Sequence, residues 1–254
     1  MSVLGCRSSY RWACRPDGHG RERGTGGRQS GGRARPGMAW LGVAAGARRA
    51  AGEGLRARDL EVLRWVCEQY GARTDQLEVL LGTGPRSVQR LLVRLREAGL
   101  VQVRRVLVGE AAWVIPTRMG LRAAGHGFGI WQLRLGGLMH VAAVNDVRLH
   151  IGERSAESEW VCERTLAKER RPGEHLADAI VITGDGRRVA IEVELTVKSR
   201  QRVRLILDDL SARHDAVLYF CAPGPYRQLS ELAREGSWPG LGVRELPRAL
   251  TSTP

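Results

Sequence analysis

The chain predicts an α/β (α+β) fold in two parts: a helical unit closed by a β-hairpin, then a domain running helix, three strands, helix, strand (αβββαβ). Three observations carry this expectation. From Arg58 to Gly99, leucines and valines recur at helical spacing between glycine-marked stops. From Gly137 onward, helical stretches alternate with short apolar runs of β character. Most informative is His175–Lys198, HLADAIVITGDGRRVAIEVELTVK, where a Gly-Asp-Gly turn joins two such runs.

Residues 1–57 form a basic leader whose first 36 residues are rich in Arg, Gly and Ser, hold little that could pack, and are expected to be disordered. Two readings of it stay open: a sequence-independent nucleic-acid tail, or a start assigned too early, with Met38 opening the better-patterned stretch. Residues 58–125 are expected to form one domain. Leu60, Leu63, Val66 and Cys67 share a helix face over 59–70, and Gly71 stops that helix. Thr74 can cap a second helix carrying Leu77, Leu80 and Leu81. After the turn Gly82-Thr83-Gly84, Pro85 opens a third helix with Val88, Leu91, Leu92 and Leu95 inward and Gly99 at its end. Leu100–Leu107, a Gly109 turn and Ala112–Ile115 read as a hairpin, and Thr117 caps a short helix to Ala124. Three helices and a hairpin resemble a winged helix-turn-helix.

On the third helix, Arg86, Arg90 and Arg94 recur every fourth residue opposite the leucines, with Gln89 alongside. In a helix-turn-helix this face enters the major groove, where arginine reads guanine or holds phosphate. Arg104 and Arg105 on the first hairpin strand would reach the flanking backbone. The same face could instead serve protein contacts.

Residues 126–254 supply the second domain: a helix over 137–152, a strand over 159–163, the two runs of the Gly-Asp-Gly hairpin, a basic helix over 196–214, a strand over 216–221, a helix over 226–235 and a last strand over 242–246. A three-residue loop, Gly184-Asp185-Gly186, pairs Thr183 with Arg187 and sets Asp178 opposite Glu192, with Gly186 left-handed. Side chains alternate along a strand, so Glu194 then shares the face of Glu192 and Asp178. A two-residue Asp185-Gly186 turn would pair Asp178 with Val193 and split the acids between faces. A plainer reading makes Ile-Glu-Val-Glu-Leu a half-exposed strand with its carboxylates in water. Lys198, one of two lysines against 38 arginines, follows the acids.

Net charge is +13, divided as +8 over residues 1–57, +4 over 58–125 and +1 over 126–254. A polyanionic partner explains this asymmetry, double-stranded DNA first; the arginine bias would also follow from a GC-rich genome. The five cysteines are scattered with no C-x-x-C pair, which argues against a zinc ribbon or a disulfide framework and for a reducing cytoplasm. No apolar run approaches the roughly 20 residues of a membrane span, so no membrane role is expected.

Asp178, Glu192 and Glu194 with Lys198 resemble the site of the PD-(D/E)XK nucleases, an Asp on one strand and Glu-x-Lys on the next. Glu194 stands where that motif has lysine, and Lys198, expected on the following helix, would replace it. The resemblance implies Mg²⁺ or Mn²⁺ on Asp178, Glu192 and Glu194, with Lys198 as base or phosphate clamp during phosphodiester hydrolysis. Asn145, Asp146 and Glu163 are further candidate ligands, and Arg200, Arg202 and Arg204 could approach a phosphate backbone. The joint order from Arg58 to Leu246, a winged helix, then VNDVRLHI, EWVCER, HLADAIV and GRRVAIEVELTVKSR, is similar to the replication-relaxation family of plasmid and mobile-element proteins. That resemblance implies DNA binding, a role in plasmid replication and relaxation, and other replication or transfer proteins as partners. The alternative is a non-catalytic DNA-binding adaptor or transcriptional regulator with an inactive nuclease-like domain.

Overall fold

A computed structural model describes residues 55–106, 108–132, 135–155 and 157–247. The basic leader through residue 54 lies outside them. Helix α1 (Ala57–Glu68) leads to a two-residue strand β1 (Ala72–Arg73), helix α2 (Thr74–Leu81) and helix α3 (Pro85–Glu97). Strands β2 (Val101–Arg104) and β3 (Trp113–Pro116) and the short helix α4 (Arg118–Ala123) complete the first part. All three strands pair antiparallel in the order β1-β3-β2. Strand β1 carries no signal of its own in the sequence and exists because Ala72 and Arg73 lie beside Val114 and Trp113. Thr74 is the first residue of α2 and not its cap: the Arg73 N–H donates to Gln76 Oε1 at 3.1 Å. Thr117 caps α4 as expected, its Oγ1 accepting from the Gly120 N–H at 3.0 Å. Leu63, Val66, Leu77, Val88, Leu95 and Val114 close one core between helices and sheet.

The chain then forms helix α5 (Leu135–Gly152), strand β4 (Glu159–Cys162), a one-turn helix α6 (Glu163–Leu166), and strands β5 (Ala179–Ile182) and β6 (Arg188–Glu194). Helix α7 (Arg200–Arg213), strand β7 (Ala216–Cys221), helix α8 (Pro223–Arg234) and strand β8 (Leu241–Glu245) follow. The five strands lie in sequence order; β4, β5 and β6 are antiparallel, and β7 and β8 run parallel to β6. Ala190, Tyr219 and Cys221 pack beneath α7 and α8, while Ile191, Val193 and Phe220 meet Val144 and Val147 of α5 on the opposite face. Covered on both faces, β6 is a central strand, and the half-exposed alternative does not hold: Glu192 and Glu194 are 4% and 5% exposed.

Helix α5 ties the two sheets together. Leu138, Val141 and Ala142 pack on Trp113 and Ile115 of the small sheet. Where α5 meets α2 the contact turns polar: Gln76 Nε2 donates to Ala142 O at 2.8 Å and Asp146 Oδ1 at 2.7 Å, and Asn145 Nδ2 donates to Gly71 O at 3.0 Å. Gly71 is required there, at φ +153°, because a Cβ would stand 2.9 Å from Val114 O. Arg164 of α6 adds a second tie, donating to Cys67 O at 2.6 Å and lying 4.6 Å over the Tyr70 ring.

Candidate functional site

The site begins with the turn. Thr183 N–H donates to Arg187 O at 3.0 Å and Gly186 N–H to Thr183 O at 2.8 Å, with Gly186 at φ +83°. This is the three-residue loop, and the ladder it starts pairs Ile182 with Arg188 and Ala179 with Ile191. Continued by one residue, that register sets Asp178 opposite Glu192, with the Asp178 carboxylate turned to His140 of α5. Asp178 precedes β5 by one residue, and its Oδ2 accepts the Val193 N–H at 2.7 Å.

Each carboxylate has a basic partner. Asp178 Oδ1 is 2.8 Å from His140 Nε2 on α5. Glu192 Oε1 is 3.2 Å from His175 Nε2, whose backbone N–H donates to Asp209 Oδ2 of α7 at 2.9 Å. Glu194 Oε2 is 2.5 Å from Lys198 Nζ. Lys198 does not lie on the following helix: Ser199 caps α7, its Oγ accepting from the Arg202 N–H at 3.3 Å, so the lysine sits in the preceding loop. Gln228 of α8 fixes that loop by donating to Lys198 O at 2.9 Å. Acids at the inner end of the group meet bases nearer its mouth, with His140 and Lys198 the most exposed members.

Burial dominates the electrostatics. It pushes the Glu192 carboxyl up to about 7, aided by repulsion from Asp178 and opposed by the His175 hydrogen bond. Glu163, on α6 beside Asp178, is raised by burial and then by that neighbour's charge, while the Tyr70 hydroxyl opposes the rise. Burial works to depress His140, but its hydrogen bond to Asp178 and the surrounding carboxylates carry it above its ordinary value. The Tyr219 phenol is driven upward by burial and by Glu192 and Glu194.

The other sequence candidates fall elsewhere. Asn145 and Asp146 belong to the contact with α2, away from the acids. Arg200 and Arg204 pair with Glu235 at 2.9 and 2.7 Å, leaving Arg202 exposed between them. His140 and His175 are the residues that spacing did not identify. Among the described residues no three His, Cys, Asp or Glu side chains are grouped to hold a metal ion. Asp178 and Glu192 nevertheless offer two adjacent sets of hard oxygen donors, which meets the small protein demand of Mg²⁺ or Mn²⁺ when water and phosphate complete the shell.

On the helical part, Arg86, Gln89 and Arg90 are exposed along α3. Arg94 is turned inward, Nε 2.9 Å from Asp59 Oδ2 and Nη2 2.7 Å from Oδ1. Arg104 and Arg105 are exposed at the end of β2, with Arg104 Nη2 donating to Gln102 Oε1 at 2.7 Å. Arg96 joins Arg104 across an open groove of about 560 Å³ between α3 and β2. Comparison with family models, with curated proteins and with solved structures returns no match for this chain.

Proposed function

We propose that this is a DNA-binding protein of the replication-relaxation type, in which a winged helix seats duplex DNA and a PD-(D/E)XK-like domain cleaves one phosphodiester bond with Mg²⁺ or Mn²⁺. The observation that carries the hydrolytic part is the register of β5 and β6, which brings Asp178, Glu192 and Glu194 to one end of the sheet with Lys198 on Glu194. The element order of the first part and its β1-β3-β2 sheet support the winged helix, and the exposed Arg86, Gln89, Arg90, Arg104 and Arg105 support a polyanionic partner. The antiparallel β4-β5-β6 followed by parallel β7 supports the nuclease-like reading.

In this reading Asp178 and Glu192 hold the ion, with Glu194 as the further acid of the set. When bound, the ion supplies a water of lowered pKa and neutralises charge on the phosphoryl oxygens. The rest falls to side chains already positioned. His140 and the Val193 N–H fix the two oxygens of Asp178. Glu194 holds the Lys198 ammonium at the mouth, where it can clamp a phosphate oxygen or orient the nucleophile. Replication or transfer proteins are the further partners this reading expects.

A second reading, a non-catalytic adaptor or transcriptional regulator, is favoured by one observation: each acid already has a basic side chain of this chain within 3.2 Å. Calorimetric titration of Mn²⁺ and anisotropy of a labelled duplex separate the two. Binding of both, with Mn²⁺ heat lost in Asp178→Asn and Glu192→Gln, supports the enzyme. Duplex binding without any Mn²⁺ heat supports the adaptor.

A further inference from the structure

Between the start of α1, the 82–84 turn and α3 lies a pocket of about 180 Å³. At ~30 Å³ per water it holds roughly six waters, room for a tetrahedral oxyanion and its nearest hydration. Arg56, Arg58 and Arg90 line it, together with the hydroxyls of Thr83 and Ser87. Its single acidic lining residue is Asp59, which is 1% exposed and has both oxygens taken, by Arg94 and by the Arg56 N–H at 3.1 Å. None of Arg56, Arg58 and Arg90 forms an ion pair among the described residues.

The polar groups that remain are donors. Arg58 Nη2 is held across the turn by Leu81 O at 2.6 Å, and Arg90 Nη2 by Ser87 Oγ at 3.3 Å. Each guanidinium has five N–H groups, so most stay available. Thr83 Oγ1 is buried and has no hydrogen-bond partner among the described residues. A buried hydroxyl without a partner is costly, and beside it Arg56, Arg58 and Arg90 present exposed guanidiniums outside any ion pair among the described residues. A ligand that satisfies both is compact, negatively charged and built of acceptor oxygens, which describes a phosphate group.

We propose that this pocket clamps one backbone phosphate of the bound duplex, with Thr83 Oγ1 donating to one oxygen and the Arg58 and Arg90 guanidiniums to others. The proposal rests on the DNA-binding reading and divides its arginine stripe. Arg90 holds phosphate regardless of sequence, Arg94 braces the pocket floor through Asp59, and Arg86 and Gln89 are left to face base edges.

The test uses the full chain, short duplexes of several sequences and a KCl series, with Thr83→Val, Arg90→Gln and Arg86→Gln, and thermal melts in inorganic phosphate. Arg90→Gln is expected to weaken every duplex alike, about tenfold, and to lower the salt slope by about one. Thr83→Val, close in shape, is expected to weaken binding about tenfold with the slope unchanged, since no charge is lost. Both variants are expected to lose the rise in melting temperature that phosphate gives the wild type. Wild-type affinity and slope in both, with Arg86→Gln impaired, would overturn the pocket while leaving duplex binding intact. Phosphate stabilisation lost in both variants, without duplex binding by the wild type, would uphold the oxyanion site and overturn DNA as its source.

Discussion

Arg94 of α3 grips Asp59 of α1 at two points, and the carboxylate it holds is 1% exposed. The pair joins residues 35 apart in sequence and sets how α3 lies against α1. The Arg94 hydrogen bond helps hold the Asp59 pKa below its ordinary value against the opposing effect of burial. Removing the arginine leaves a buried charge unpaired, so Arg94→Ala is expected to cost about 3 kcal/mol in urea denaturation. Arg86→Ala, on the same stripe but exposed, is expected to stay within about 0.5 kcal/mol of the parent. Equal small effects would mean that the ion pair does not brace the helices.

Asn145 is the buried centre of the contact between α5 and α2, giving its amide hydrogens to Gly71 O and Gln76 Oε1. Asn145→Ala takes the side-chain donor from Gly71 O, leaves Gln76 Oε1 with the Arg73 N–H, and opens a void. A loss of about 2–3 kcal/mol is expected by calorimetry.

Glu192 gives the apoprotein a pH dependence whose sign follows from its raised pKa. A carboxylate lifted from 4.5 to about 7 contributes fully to stability below about 4.5, and that contribution is lost as pH rises through about 7. The span amounts to roughly 3 kcal/mol. Glu192→Gln keeps a group that can bond His175 and has no charge to bury. Denaturation profiles of parent and variant should therefore diverge from pH 4.5 to 8 in the variant's favour; parallel profiles would place the titration elsewhere.

The hairpin register depends on one residue more than its neighbour. Gly186 has φ +83° with open space around it, so Gly186→Ala carries only the left-handed penalty of about 1 kcal/mol. An added Cβ at Gly184 stands 3.2 Å from the flexible Glu157 Oε2 and in ordinary contact with Glu157 Cβ at 3.5 Å, and Gly184→Ala should cost less than half as much. Equal costs in thermal melts would contradict the observed turn.

The legible parts of this protein are those whose signals are local. Pro85, Gly82 and Gly99 punctuate the helices, and Gly184-Asp185-Gly186 selects a loop length that sets Asp178 opposite Glu192 rather than Val193. The illegible parts are tertiary. β1 exists only because β3 lies beside it, and the one-turn α6 begins at Glu163, the last residue of the strand read over 159–163. His140 reaches Asp178 from 38 residues away on a helix covered by both sheets, so no periodic polar face marked it. His175 is only three residues from Asp178, yet its partner is Glu192 on the next strand. Arg94 resembled Arg86 and Arg90 by spacing, and only the position of Asp59 separates them.

The most direct measurement is conversion of supercoiled plasmid to open circle by purified full-length protein in Mg²⁺ or Mn²⁺, beside Asp178→Asn, Glu192→Gln and Lys198→Met. Metal-dependent nicking, lost in the two carboxylate variants and reduced in the lysine variant, is the expected result. Plasmid binding with no open circle in either metal would contradict the hydrolytic function and leave a DNA-binding adaptor.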